Sequence, residues 1–354
     1  MNQSPDSTIT QPFQFTGTGS EYFRIWIVNL ALTILTLGIY SAWAKVRRLQ
    51  YFYRNTSLAD GSFDFHGDPK AILKGRLIAV GLLVAYNVIG TFNVALGLVA
   101  LAVLLAAVPW LVQRSLRFKL YNSSYRGLRF RFTGALGGAY RTLLLWPIVG
   151  YLTAGILMPF AHRELKHYQH TNSRFGNTTF GFTADAGQFY IVYLKLLGML
   201  LLALLGFAVL AAALFVTLGQ GLGGGDPEEQ GKWIGVFAAV FLAFYLLLFL
   251  LLAPWFSSRI QNLVWSHTGL GPHAFMSNVR ARDLLAIYVT NFIGIVLTLG
   301  LFKPFADVRL ARYRLSRMAL AARSDLNEFL AAQEQAVSAM GEETADVFDV
   351  DISF

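Results

Sequence analysis

The chain has no cysteine, which excludes disulfides and thiolate metal sites but does not place the compartment. Charge is scarce: 14% of the 354 residues are Asp, Glu, Lys or Arg, against 55% hydrophobic, with a mean hydropathy of +0.50. A single soluble core of this size needs far less apolar surface, so the composition reads as an integral membrane protein. A basic start followed by a short apolar core is also lacking. Met1 to Gln11 is polar, and no cleavable signal peptide is expected. No glycine-rich phosphate loop, Ser-His-Asp set or carboxylate pair stands at an informative spacing. The expectation is a protein that is not an enzyme and uses no cofactor. Residues 324–354 hold eight acids and no Lys or Arg, whereas all 29 bases lie earlier, beside 12 acids. A basic body thus precedes an acidic tail.

What is present is a repeat. Leu35-Thr-Leu-Gly-Ile-Tyr-Ser-Ala-Trp-Ala-Lys-Val-Arg-Arg-Leu-Gln-Tyr51 has relatives centred on Trp110, Phe160, Trp255 and Phe305, each of these four preceded by a proline. Four residues after the aromatic stands Arg47, Arg114, Arg259 or Arg309, with Glu164 in the third copy; four further on stand Tyr51, Phe118, Tyr168 and Tyr313, with Leu263 as the exception. Steps of four place ring, guanidinium and ring on one helical face, which suits a helix lying at a headgroup boundary. Trp43, Trp110, Trp255, Phe160 and Phe305 are the expected interfacial anchors. After each of the first three motifs a phenylalanine pair alternates around one residue (Phe63 and Phe65, Phe130 and Phe132, Phe180 and Phe182), and Phe275 alone remains in the fourth. Such alternation reads as a short half-buried strand. Phe13-Gln-Phe-Thr-Gly17 and its echo Phe130-Arg-Phe-Thr-Gly134 suggest that one unit's exit strand is the next unit's entering strand. A fixed self-similarity of this length means duplicated units.

The expected fold class is therefore an α-helical integral membrane protein: apolar segments plus basic interfacial helices, with short cytoplasmic β-strands. The repeat-built transmembrane domain covers 1–317, with motifs near 35–66, 105–133, 152–183, 250–276 and 297–317, and 318–354 is an acidic cytoplasmic tail. The apolar stretch Leu77 to Val112 exceeds one crossing, which takes about 20 residues, and is split near Gly90 into a helical hairpin. A second hairpin joins 187–218 to 232–253. Every motif helix and strand connection is basic, so the positive-inside rule gathers them on the cytoplasmic side. A single apolar segment precedes motifs one, three and five, however. Either 22–40, 138–158 and 284–302 re-enter, broken at Asn29, Pro147 and Asn291, or they are three plain transmembrane helices with mixed charge around them. The charge favours re-entry.

The motif beginning at Leu35, with Phe15-Thr-Gly17 before it and the tail Gly341-Glu-Glu-Thr-Ala-Asp-Val-Phe-Asp-Val-Asp351, resembles the YjgN family of bacterial inner-membrane proteins over nearly the whole chain. The resemblance implies a multi-pass protein of the bacterial inner (cytoplasmic) membrane built on a domain of unknown function. It carries over no catalytic residue.

Asn29 and Asn291 are amides inside apolar runs, where an unpaired amide is unfavourable. They form either a candidate intramembrane polar site, as in repeat-built transporters, or a pair satisfying local backbone. Arg47, Arg114, Arg259 and Arg309 form a candidate basic ring for anionic headgroups or an anionic solute. His162, His167 and His170 do not share one face, and no metal is expected. The tail reads as an amphipathic helix from Ser324 to Met340 followed by an acidic segment, docked on the basic face or solvated. The leading expectation is a small-solute transporter or channel; the other is a lipid-binding or scaffold protein without transport or catalysis. The expected partners are the bilayer and its anionic headgroups, with no nucleic acid, and the oligomeric state is left open.

Overall fold

A computed structural model describes residues 9–219 and 227–336. Strand β1 (Ile9–Phe15) leads into helices α1 (Gly19–Leu35) and α2 (Ser41–Arg54), then strands β2 (Thr56–Leu58) and β3 (Gly61–Phe65). Helices α3 (Pro69–Phe92) and α4 (Val94–Tyr121) precede β4 (Ser123–Tyr125) and β5 (Leu128–Phe132). The third unit is α5 (Leu136–Tyr140), a π turn at Arg141–Leu145, α6 (Trp146–Leu152), α7 (Met158–Thr171), β6 (Ser173–Phe175) and β7 (Thr178–Phe182). The fourth is α8 (Ala186–Gly219), α9 (Pro227–Ser266), β8 (Thr268–Leu270) and β9 (His273–Ser277). The fifth is α10 (Ala281–Leu297), α11 (Lys303–Ser316) and β10 (Met318–Ala322), after which residues 326–336 form a last helix, α12.

The ten strands close into one antiparallel barrel, ordered β1-β10-β9-β8-β7-β6-β5-β4-β3-β2. This overturns the expectation of an α-helical fold with separate short strands. Each strand is only three to seven residues long, too short to hold a hairpin alone. Closure leaves no unpaired edge. The strand entering each helical unit pairs with the strand leaving it: Phe13 with Leu58, Phe63 with Tyr125, Phe130 with Phe175, Phe180 with Leu270, and Leu320 with Phe275. Both ends of all five helical units therefore emerge at the same end of the barrel. Three plain single crossings are incompatible with that pairing.

Local chemistry repeats at each helix-to-strand junction. Asn55, Asn122 and Asn172 donate Nδ2 to the carbonyls of Tyr51, Phe118 and Tyr168 at 2.8 Å each, covering carbonyls that a helix end leaves unpaired. The tyrosine hydroxyls of the motif then tie each helix to the start of the one before it: Tyr51 to Thr18 O at 2.8 Å, Tyr168 to Ala135 O at 2.9 Å, Tyr313 to Arg280 O at 3.1 Å. Glycine is needed beside these hydroxyls, since a Cβ at Gly17 or Gly134 would stand 2.8 Å from Tyr51 or Tyr168 Oη. That explains the recurring Phe-Thr-Gly.

Among the described residues four helices are long and apolar enough to cross a membrane: α3, α4, α8 and α9. The other three units turn earlier, and not where expected. The chain reverses at 36–40, 153–157 and 298–302, where Leu37, Ala154 and Leu299 and the glycines after them have positive φ. Thr36 Oγ1 donates to Leu32 O at 2.7 Å and accepts from Tyr40 N at 2.9 Å, and Thr298 does the same between Gly294 O and Phe302 N. A left-handed residue followed by glycine is how helices stop. Asn29 and Asn291 instead lie inside intact helices, and Pro147 sits in the first turn of α6, where proline is tolerated.

The level of the bilayer can be read from α3. Arg76 is its last charge before the apolar run from Leu77, so the headgroup boundary lies near Arg76. Arg76 reaches Ser41 at the start of α2, so the turn just before that helix, with Leu35, Leu37 and Ile39 78%, 94% and 57% exposed, is an apolar tip beyond Arg76. Barrel strand β10 and helix α12 come from the stretch expected as tail, while its acidic part from residue 337 lies outside the described residues.

Candidate functional site

Two cavities among the described residues bear on function. The first is the barrel lumen, about 410 Å³. Its waist is one layer of ten side chains, two per unit, made by the pairs that face each other across the strand ladder. Five of them form a closed circuit of rings: centroids lie 6.2 Å apart for Phe13 and Phe63, 6.5 Å for Phe63 and Phe130, 6.3 Å for Phe130 and Phe180, 6.1 Å for Phe180 and Phe275, and 6.3 Å for Phe275 and Phe13. Adjacent planes differ by only 13° to 28°. Rings set radially would each be turned by a fifth of a revolution, so these five lie like the leaves of an iris across the barrel axis. Phe52, Tyr53, Leu120 and Leu315, at the ends of the motif helices, line the lumen on the membrane side. Leu326, Phe329 and Leu330 of α12 line it on the other. Asn327 accepts from Arg126 Nη1 at 2.7 Å and Gln333 from Asn177 N at 2.9 Å, which seats α12 across the hairpin tips.

The second cavity, about 480 Å³, lies between α1, α2, the base of α3 and the start of α11. Lys45, Arg48, Arg76 and Lys303 line it with one carboxylate, Asp307. Arg48 Nη2 stands 3.5 Å from Asp307 Oδ2, Lys303 pairs with the same carboxylate, and Arg76 donates to Ser41 Oγ. Desolvation, then the like charges of Arg76 and Lys119, hold the Lys45 ammonium below its ordinary value. Asn29 lines the same cavity, is 6% exposed, and its Oδ1 accepts no hydrogen bond. Cations outnumber the anion four to one, at the level of Arg76.

The two asparagines expected to form one site are not equivalent. Asn291 bridges α10 to α11, donating Nδ2 to Ala306 O at 3.3 Å and accepting from Arg309 Nη1 at 3.0 Å. Replacing Arg309 by Ala strands that buried oxygen, and should lower stability by about 1–3 kcal/mol. Thermal melting of Arg309→Ala alongside Arg309→Ala with Asn291→Leu checks this, with the double variant less damaged than the single one. The other motif arginines do not converge on a ligand. Arg47 lies over Tyr40 at 5.7 Å, Arg114 over Trp110 at 5.2 Å and Arg259 over Trp255 at 5.9 Å, cation–π contacts along single helices. Trp43 stacks on Tyr40 at 6.0 Å, Phe160 meets Trp146 at 4.6 Å and Phe305 meets Phe23 at 5.6 Å. The histidines also part company: His162 Nδ1 is 3.0 Å from Tyr193 Oη and His170 Nδ1 is 3.2 Å from Thr268 Oγ1. Lys45 was legible inside the repeated motif, but Arg76, Lys303 and Asp307 join it only through the fold.

A family model described as "Bacterial protein of unknown function (DUF898)" matches residues 10–347. The chain belongs to this family. The DUF898 match runs from β1 past α12, so barrel and closing helix lie within the family's extent. The chain is similar to proteins named "Inner membrane protein YjgN": 29% identical over 136 residues to that of Salmonella typhimurium, covering 38% of this chain and 34% of the relative. It is 28% identical over 162 residues to that of Escherichia coli O157:H7 (46% and 40%) and 30% over 138 residues to that of Escherichia coli K12 (39% and 35%). The matched stretch thus spans well under half the length of these curated relatives. No solved structure matches the chain. With four membrane-capable helices, this DUF898 chain is a multi-pass protein of the bacterial inner membrane.

Proposed function

We propose that this protein binds the anionic headgroup of an inner-membrane lipid in the pocket between α1, α2, α3 and α11, and neither transports a solute nor catalyses a reaction. The observation that carries the reading is four cations and an unpaired buried amide gathered at the height where α3 turns from charged to apolar. A phosphate there neutralises the excess charge, which in the free protein is partly desolvated. Its glycerol hydroxyl, or a protonated phosphate oxygen, supplies the donor that Asn29 Oδ1 lacks. Transport through the axis is the less suitable reading. A hydrophilic solute would have to pass a waist of nine apolar side chains and Tyr125, whose hydroxyl donates to Leu58 O, and hydrophobic constrictions of this kind dewet.

The test is native mass spectrometry of the purified full chain with phosphatidylglycerol, phosphatidylcholine and free glycerol phosphate. Retention of phosphatidylglycerol over phosphatidylcholine is expected, and Arg76→Ala should weaken it by about tenfold, the loss of one charge-assisted contact. Glycerol phosphate binding as tightly as the lipid would assign the pocket to a soluble anion instead. Equal retention of both lipids, or no effect of Arg76→Ala, defeats the proposal.

A further inference from the structure

The barrel lumen carries a second inference, independent of the cationic pocket. Its lining is aromatic and aliphatic with a few hydroxyls, and among the described residues no Lys, Arg, Asp or Glu takes part. About 410 Å³ falls in the range of small-molecule sites and is far below what a folded partner needs. Within this lining stands His273, 1% exposed, with neither Nδ1 nor Nε2 hydrogen-bonded. Phe329 of α12 meets it edge-on at 4.8 Å. Burial depresses its pKa, so at neutral pH the ring offers one N–H donor and one acceptor. A buried polar group without a partner is unfavourable, and native structures avoid it.

The chemistry narrows the ligand. An ionised head would be buried with no countercharge, which is strongly disfavoured, so the head is neutral. It must give or take a hydrogen bond, so it is not a plain hydrocarbon. The rest must be apolar and slender, to lie among stacked phenylalanines. The mouth closed by α12 faces away from the bilayer, while the opposite mouth is framed by the ends of the membrane-associated helices, which places the source of the ligand in the lipid phase. We infer that the lumen is a binding site for one uncharged single-chain lipid, its hydroxyl-bearing head on His273 and its chain among the phenylalanines of the barrel.

The experiment uses the full chain in amphipol, titrated with 1-dodecanol, n-dodecane or dodecanoate and read by native mass spectrometry. A single saturable dodecanol adduct is expected, with dodecane and dodecanoate each bound at least about tenfold more weakly. His273→Phe should bring dodecanol down to the level of dodecane, and Leu270→Trp, which fills the lumen, should weaken both. Should either variant fail to fold, the three probes on the wild-type chain still decide. Arg76→Ala should bind dodecanol as the wild type does, so failure here is distinguishable from failure of the headgroup pocket. The inference is overturned if the wild type gives no saturable adduct, if dodecanol and dodecane bind equally, as they would were a water His273's partner, or if dodecanoate binds best.

Discussion

Ending the chain at Ser324 is expected to remove about 4–6 kcal/mol of stability and to lower the thermal midpoint more than any single surface substitution. Residues 326–336 bury Leu330 to 4% exposure and set Leu326 and Phe329 against the barrel core. Burying a side chain of this kind contributes about 1.5–3 kcal/mol, and Leu326 and Phe329 are only partly covered, so the lower part of the range applies to them. Asp325 starts the helix by accepting from Asn327 N at 2.7 Å, and the bonds from Arg126 and Asn177 are lost with it. The loss is larger than its area because α12 is the lid of a closed barrel: without it Phe175, Leu270 and His273, all nearly fully buried, meet water. The measurement is thermal unfolding in detergent of the truncated chain and of Leu330→Ala, for which a loss of about 2–4 kcal/mol is expected, as for other buried leucines. A truncated chain that melts with the full one would show that the barrel does not need its lid.

Acidification should destabilise the protein between pH 6.5 and 4.5, before most carboxylates titrate. His170 sits at the end of α7 against the barrel, stacked on Phe182 at 5.4 Å and edge-on to Trp265 at 5.6 Å. Burial, helped by the Lys166 charge, pushes it down to about 4, and burial also lowers His273. For a base depressed on folding the neutral form is the folded one. Its contribution is complete above the unfolded value near 6.5 and is lost as pH falls from there toward the folded value. For His170 the loss at pH 4.5 is on the order of 2–3 kcal/mol. Melting curves from pH 7.5 to 4.5 should therefore be flat at first and then fall. His170→Phe with His273→Phe should make the acid limb shallower, with half-buried His162 left to titrate; an unchanged limb in that double variant would place the sensitivity elsewhere.

The repeat explains why so much of the path was readable. A motif that recurs five times fixes the helix faces, the Asn caps and the alternating phenylalanines, because each depends on neighbours within a few residues. Membrane association and the gathering of basic helices at one side followed from composition and charge. The reversal points were misplaced for a specific reason: an asparagine in an apolar run looks like an interruption, whereas Thr36-Leu-Gly38 looks like more of the run. In the structure Asn29 and Asn291 sit in unbroken helices, and the threonine and left-handed residue make the turn.

Sequence by itself settled that this is a membrane protein of five related units, since local periodicity and total apolar content are properties of the chain alone. Tertiary structure decided that their strands join into a barrel, because apart from the tight hairpins between units every pairing of these three- to seven-residue strands spans an entire helical unit, and the last pairing joins residues 9–12 to 319–322. It also decided the sites. Asn29, Lys45, Arg76 and Lys303 are brought into one pocket, and His273 into the lumen, by ring closure, a condition on all five units at once that no window of sequence contains.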